Sequence, residues 1–509
     1  MALEFRDGTQ HSGLFQIGDD TIPGELILAG PDTRLKLHQP EFFFVQAEPD
    51  LTLHGKLTDL TKVSLLTCLG DVVSGPNMRD NERHHTAEVE PRYVLLGGSH
   101  IRSDDLVVRA IKFVVSDATM IFNDSSAFSL ALAPPREHIE AIIESDRGLT
   151  GLTPELGQHP MVAYYTGKGE VFAAETVLGR ISATYNVSTG IGGADGVGFR
   201  NTVWTRIAFA ELVSFNAAIE ASFTLLRFLE IIAGRKQTVI EMKLETEHDG
   251  RQDRFQVYWP LKPVREARGP DRRLHPLALP LDAARQPDAF GAVLAAWLVR
   301  DRARVAARAQ FSDGFSGENR YNSFRLIGAA NMFDLLPEDA GPATLAMTAD
   351  VLSARDQARG LFKALPETPE RDMVLSALGR IGKPVLKRKI RHRAAIVTQA
   401  LAKPFPHLDQ VIDLAVELRN VLVHGSASDL DITGPMGGLM PFLTDVLEFL
   451  FVTSELIEAG WDAAAWERGR LSWDHPMGHL VLGYDAYLQT LDAALPPGRR
   501  FLSPEAPEA

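Results

Sequence analysis

From Gly13 to about Ile207 the chain consists of short runs of β-branched and aromatic residues, broken by Gly, Pro, Asn and Asp. Gly24-Glu-Leu-Ile-Leu, Lys62-Val-Ser-Leu-Leu-Thr-Cys-Leu and Leu106-Val-Val-Arg-Ala-Ile-Lys-Phe-Val-Val are examples. Runs of this kind between turn-forming residues predict strands. Further strands are expected at Val162–Tyr165, Val177–Val187 and Val203–Phe209, with the Gly-rich stretch Gly190–Gly198 as a loop joining two of them. Phe215–Ile232 has helical period, and strand character returns at Thr238–Glu245 and Phe255–Trp259.

Six prolines (260, 263, 270, 276, 280 and 287) then fall among basic and short apolar residues. They predict a linker, or an arm lying on a neighbouring surface. From Asp288 onward Ala, Leu, Arg and Glu recur at spacings of three and four, which predicts helices at 288–310, 318–334, 345–363, 370–381, 384–402, 407–424, 436–459 and 477–492. No internal repeat is evident, against a solenoid. The expected fold is α+β and multidomain: a β-rich region over 1–262, a linker over 263–287 and an all-α bundle over 288–509.

Length and composition agree with this division. A chain of 509 residues, 45% hydrophobic and 23% charged, is ordinary for a globular protein of about two to four domains. Cys68, the single cysteine, excludes an intrachain disulfide framework and sits in an apolar run, where it reads as core. The opening residues lack a basic stretch followed by an apolar one, so a cytoplasmic protein is expected. Two segments are strongly apolar, Ala217–Ala233 and Gly438–Ala459. The first carries Glu220, Arg227 and Glu230 and the second Asp445, Glu448, Glu455 and Glu458, so both read as buried helices with wet faces, and no membrane partner is expected. The net charge of −14 disfavours nonspecific adhesion to nucleic acid, so such a partner needs a local basic patch.

Candidate chemistry concentrates at Glu417-Leu418-Arg419-Asn420-Val421-Leu422-Val423-His424-Gly425. Spacing alone does not single it out, because Arg6/His11, Arg79/His84 and Arg470/His475 share the Arg-x4-His pattern. Context does. On an ideal helix Val411, Leu414, Ala415, Leu418 and Leu422 form an apolar face, and Asp413, Glu417, Asn420 and His424 a polar stripe opposite. Arg419 falls on the apolar flank between Ile412 and Ala415, where a charge needs a partner, an anion or a second chain. The same wheel sets Arg419 and His424 about 140° apart, so their meeting is expected to need a distorted last turn before the C-cap Gly425, or a symmetric second chain.

Arg419, Asn420 and His424, near the end of a helix in an all-helical C-terminal region, resemble the signature of the HEPN nucleases. Gly13-Leu-Phe-Gln-Ile, Gly24-Glu-Leu-Ile-Leu and Leu53-His-Gly-Lys-Leu-Thr-Asp-Leu-Thr-Lys-Val-Ser-Leu-Leu-Thr-Cys resemble the opening of the ApeA-type N-terminal domain. The resemblance implies a bacterial antiphage protein, a homodimer that cleaves RNA and is held silent or triggered, by a phage-derived signal, through its N-terminal region. Arg419, His424 and Asn420 would be catalytic and Glu417 supporting. The chemistry fits: RNA carries its own 2′-hydroxyl nucleophile, histidine can move a proton near neutral pH, and a guanidinium can stabilise the charge of the transition state. No cofactor or metal would be required, and the products would be a 2′,3′-cyclic phosphate and a 5′-hydroxyl.

Lys383, Lys387, Arg388, Lys389, Arg391 and Arg393 form a stretch free of acids. Lys387, Arg388 and Arg391 are the candidate RNA contacts, the plain alternative being a solvated face or a set of partners for carboxylates. His84-His85 and His475-Pro-Met-Gly-His479 lack a third ligand in register and are not read as metal sites. Gly190–Gly198 lacks the register of a phosphate loop. Rival readings are a catalytically silent HEPN module for dimerisation or RNA binding, and a helical domain that modifies a partner protein or binds a nucleotide.

Overall fold

The computed structural model describes every residue except 1–4, 46, 47, 49, 70, 71, 74, 80, 81, 152–154, 192–195, 266–273, 317–319, 344–346, 426–438, 470 and 503–509. The middle of the Gly190–Gly198 loop, part of the Pro-rich stretch and Arg470 therefore lie outside the described residues. The chain forms two compact units, one of residues 1–233, 237–266 and 281–298, the other of 234–236, 267–280 and 299–509. β-rich first and helical second, they give the α+β architecture expected.

The first unit opens with β1 (Thr9–Ile17), β2 (Asp20–Leu28), β3 (Arg34–Gln39), a short β4 (Phe44–Val45), β5 (Leu53–Leu57), β6 (Lys62–Leu69), the short β7 (Val72–Val73) and β8 (Gly75–Arg79), and the long β9 (Glu82–Gly97). β9 pairs β3 through His85–Val89 and β6 through Glu90–Gly97. The antiparallel order β9-β3-β2-β1-β5-β6 thus returns to β9 and closes a barrel. Alternation fills it: Phe15 and Ile17 of β1, Ile22, Leu26 and Leu28 of β2, and Leu35 and Leu37 of β3 all point inward. Phe15 lies so close to Gly55 that a methyl group there would come within 2.4 Å of its ring. Cys68 is buried in the same core, and desolvation pushes its thiol up to about 12.

β10 (Val108–Val115) and α1 (Ala118–Ile121) follow, then β11 (Phe128–Leu132), α2 (Arg136–Thr150), β12 (Met161–Tyr165), β13 (Glu170–Thr176), β14 (Gly179–Ile191), β15 (Val197–Val213), α3 (Phe215–Ala233), β16 (Val239–His248) and β17 (Arg251–Tyr258). β17 joins β9 and continues the sheet outward as β17-β16-β10-β15-β14-β13. β11 and β12 form a separate hairpin. Helix α2, where only strands are expected from the sequence, starts after Pro135 and stops at Gly151 in the left-handed conformation. Helix α4 (Pro287–Val299), read from the sequence as the start of the helical domain, packs in the first unit, where Phe290 meets Phe122, Phe172 and Phe228, and Trp297 meets Phe228. The single helix expected over 288–310 breaks at Arg300, and Asp301 opens the next one, where an acid favours a helix start.

The second unit contains α5 (Asp301–Ser316), α6 (Ser323–Asn331), α7 (Ala349–Lys363), α8 (Pro369–Arg380), α9 (Leu386–Ala400), α10 (Leu408–His424), α11 (Leu439–Glu458), α12 (Ala463–Arg468) and α13 (Pro476–Ala494). Helix α11 is buried on nearly every side, and here the expected wet face is corrected. Glu455 is fully buried, its carboxylate 2.5 Å from Arg304, 2.8 Å from Arg308 and 3.0 Å from Arg393. Glu458 pairs with Arg304 and Arg393, and Asp301 with Arg308. Counter-charges brought from other helices, not water, accommodate these acids. Likewise Glu230 of α3 is 1% exposed in the first unit. Among the described residues no helix is long and apolar enough to cross a membrane.

Further along α11, Glu448 takes a two-pronged grip from Arg325, and Asp445 accepts from the Tyr321 hydroxyl at 2.8 Å. Burial, aided by the neighbouring Glu448, pushes the Asp445 carboxyl up to about 7 against the opposing pull of Tyr321 and Arg325. A carboxyl raised in the fold binds a proton on folding between its unfolded value of 3.8 and about 7. Its drag on stability is therefore absent below that window and grows as pH rises through it. Asp445→Asn should stabilise the protein relative to the native chain more at about pH 8 than at about pH 5. Thermal unfolding at the two values checks this, and a pH-independent difference would show that the carboxyl does not titrate there.

Candidate active site

Helix α10 carries the motif because its sequence satisfies both of its sides. Val411, Ile412, Leu414, Ala415, Val416 and Leu418 are buried. Asp413 on the opposite side accepts from Arg391 at 2.7 Å and pairs with Lys387 at 3.1 Å. The helix stops at Gly425, whose φ of +64° favours glycine and whose N–H donates to the Val421 carbonyl at 2.9 Å.

Arg419 is half-buried and His424 exposed, and the two meet. Arg419 Nη1 lies 3.4 Å from His424 Nε2 and donates to Asn420 Oδ1 at 3.1 Å. The wheel-based expectation of a distorted turn or a second chain is thus corrected, since the pair converges within one helix. The side-chain bases diverge, but the arginine arm is long enough to lay its guanidinium across the last turn. A guanidinium can only donate, so this contact is a hydrogen bond when Nε2 carries no proton.

Asn331, the last residue of α6 and 88 positions away from Arg419, is absent from the residues singled out by sequence. Its Oδ1 accepts from Arg419 Nη2 at 2.9 Å and from Nε at 3.3 Å. Small buried residues of α6 (Gly328, Ala329 and Ala330) precede it. No local pattern could have found Asn331, since neither its neighbours nor its spacing differ from those of any helix end. The guanidinium is thus fixed by amide oxygens, and among the described residues no carboxylate forms an ion pair with it. Among the described residues its charge is positioned but not neutralised.

The other expected residues lie in the same unit with different neighbours. Glu417 binds Arg499 through both carboxylate oxygens, at 2.9 and 2.5 Å. Lys387 and Arg391 hold Asp413 with their side chains still 40% exposed, and Arg388 donates to the Ala343 carbonyl at 3.1 Å. Lys389 pairs with Asp334, and Arg393 is buried on Glu455. Much of the basic stretch therefore serves as partners for carboxylates of α10 and α11. Among the described residues no group of three or more His, Cys, Asp or Glu could hold a metal ion.

The family model of the ApeA N-terminal domain 1 matches residues 10–297, more than half of the chain, and the Apea-like HEPN model matches residues 327–465. The first match ends beside Leu298, where the first compact unit ends, and Asn331, Arg419, Asn420 and His424 all fall in the second. No curated protein and no solved structure matches the chain.

Asn331→Ala should leave the guanidinium held by Asn420 alone and cost the helical unit about 1–2 kcal/mol in chemical denaturation. Asn331→Asp, nearly isosteric, should retain or raise stability by giving Arg419 a carboxylate. Equal losses from both would mean that the oxygen does not anchor the guanidinium.

Proposed function

The chain belongs to the ApeA-type HEPN proteins, and we propose that it is an antiphage endoribonuclease of the cytoplasm whose helical unit cuts RNA without a metal. The observation that carries this reading is the Arg419 guanidinium, anchored by Asn331 and Asn420, without a carboxylate partner among the described residues, 3.4 Å from Nε2 of His424. A positioned cation beside a proton acceptor suits a phosphodiester whose nucleophile is built in.

In this mechanism His424 Nε2 takes the proton of the 2′-hydroxyl as the 2′-oxygen bonds to phosphorus. Arg419 holds the non-bridging oxygens as their charge grows, and Asn420 and Asn331 keep the guanidinium in place. The bond from phosphorus to the 5′-oxygen breaks, and that oxygen takes a proton to leave as a hydroxyl. Entering and leaving oxygens lie on opposite sides of phosphorus, so a second proton carrier is needed. A symmetric homodimer supplies it from His424 of the partner subunit in its imidazolium form, so that one ring ends the step protonated and the other neutral, and exchange with solvent resets the pair. Lys387, Arg388 and Arg391 act as outer phosphate contacts, weakened by the groups they already hold. The N-terminal unit restrains the nuclease until a phage-derived trigger arrives.

Purified protein, activated by phage-infected extract and given total RNA in EDTA, should release 2′,3′-cyclic phosphate and 5′-hydroxyl ends. His424→Ala and Arg419→Ala should each lower the rate by about 10²-fold or more. Arg419→Lys should not restore it, because an ammonium cannot span both amide oxygens and a phosphate. Cleavage indifferent to His424→Ala would falsify the nuclease reading, and RNA binding without cleavage would favour a silent binding module.

A further inference from the structure

Helices α6 and α10 pack on each other, and their register fixes what lies beside His424. Asn331, at the end of α6, is joined to Arg419 of α10. Just past Asn331, Asp334 pairs with Lys389 of α9, and the neighbouring Lys387 and Arg391 hold Asp413, which precedes Arg419 on α10. Moving forward past Asn331 therefore moves backward along α10, so the two helices run antiparallel. The residues after Arg419 run back along α6 toward its start. Val423 lies one turn past Arg419, and Ile327 and Phe324 lie one and two turns before Asn331, each within about 40° of the direction of its partner in the pair. His424 is displaced about 7.5 Å along α10 from Arg419, and Phe324 about 10 Å along α6 from Asn331, in the same sense.

Exposure along this stripe runs against packing. Gly328, Ala329 and Ala330 of α6 are buried, yet Phe324 is 82% exposed, more than any other large apolar side chain among the described residues, and Val423 is 42% exposed. A phenyl ring left in water forgoes most of its hydrophobic gain. The backbone that carries it is nevertheless held on both sides. Asn322 caps the helix by accepting from the Arg325 N–H at 2.9 Å, the Tyr321 hydroxyl binds Asp445, and Arg325 grips Glu448 at 2.8 Å. Phe324 is thus an open ring on a fixed mount, on the stripe of α6 that ends at Asn331.

We propose that Phe324 is a stacking platform for an unpaired base next to the phosphodiester held at Arg419 and His424. The proposal rests on the nuclease reading and adds to it the residue that selects the form of the RNA. A strand that is anionic along its backbone and aromatic at its bases matches an exposed ring beside a guanidinium that has no carboxylate partner among the described residues. A purely apolar protein surface would match the ring and leave the guanidinium unanswered. Every base has a π-face, so the platform accepts any base. Bases within a duplex are already stacked on one another and cannot lie on it, so the site takes a single strand.

The test uses the full-length chain carrying His424→Ala, which binds without cutting, and single-stranded oligoribonucleotides with the fluorescent base 2-aminopurine at each position in turn. One position should be quenched on binding. Adding Phe324→Ala, at an exposed site that should not disturb folding, should abolish that quenching and weaken binding about tenfold, whereas Phe324→Tyr should retain both. Annealing the complementary strand should make affinity indifferent to Phe324→Ala. Binding that Arg419→Ala weakens and Phe324→Ala does not, with quenching unchanged, would overturn this proposal and leave the nuclease reading standing. Absence of RNA binding by all of these proteins would overturn both. Dissociation of a dimer by Phe324→Ala in sedimentation, with no base quenched in the parent, would overturn the proposal by assigning the ring to a contact between copies.

Discussion

The helical unit depends on the burial of Glu455. A carboxylate with no exposure is tolerable only because Arg304 and Arg308 of α5 and Arg393 of α9 converge on it. Withdrawing one partner from such a group costs about 3–5 kcal/mol, whereas the intact cluster gains little over well-packed apolar residues. Its effect lies mainly in geometry, since three helices must keep one relation if the charges are to stay matched. From α9 the constraint passes to α10 through Arg391 and Asp413, and from α11 to α6 through Glu448 and Arg325. Helices α10 and α6 then meet at Arg419 and Asn331, closing a ring of four helices.

Three joints of that ring are ion pairs and the fourth is not. At the α10–α6 joint an amide oxygen replaces a carboxylate, so the guanidinium is held in place without losing its charge. A carboxylate at position 331 would serve stability at least as well and would compete with any anion approaching Arg419. That the joint is weaker than its chemistry allows is the departure from local optimisation found at functional sites. Beside it lies His424, on the last turn of α10 before the C-cap Gly425, where the ring is exposed.

What the sequence made legible follows from range. The β-rich to helical division, helix α3 and helix α10 rest on periodicity over neighbouring residues, and they stand where expected within a few positions. Helix α2 was missed because Ile139, Ile142 and Ile143 give a short apolar pattern and Ile142 is 55% exposed. The acids of α11 were misread because their arginines lie far away in the chain: Arg304 precedes Glu455 by 151 positions. The wheel placed the bases of Arg419 and His424 correctly and failed on reach, because it assigns directions to β-carbons and not to the end of an arginine. Asn331 was beyond any local rule.

Charge defines the α10 site as sharply as its helices do. The α10 site offers a cation fixed by neutral groups, so an anion approaching it displaces bound counter-ions, and its affinity must fall with salt. In a chain with a net charge of −14, a polyanion meets general repulsion and gains only where arginine is left uncompensated. Among the described residues Arg419 is such an arginine, held by the amide oxygens of Asn331 and Asn420.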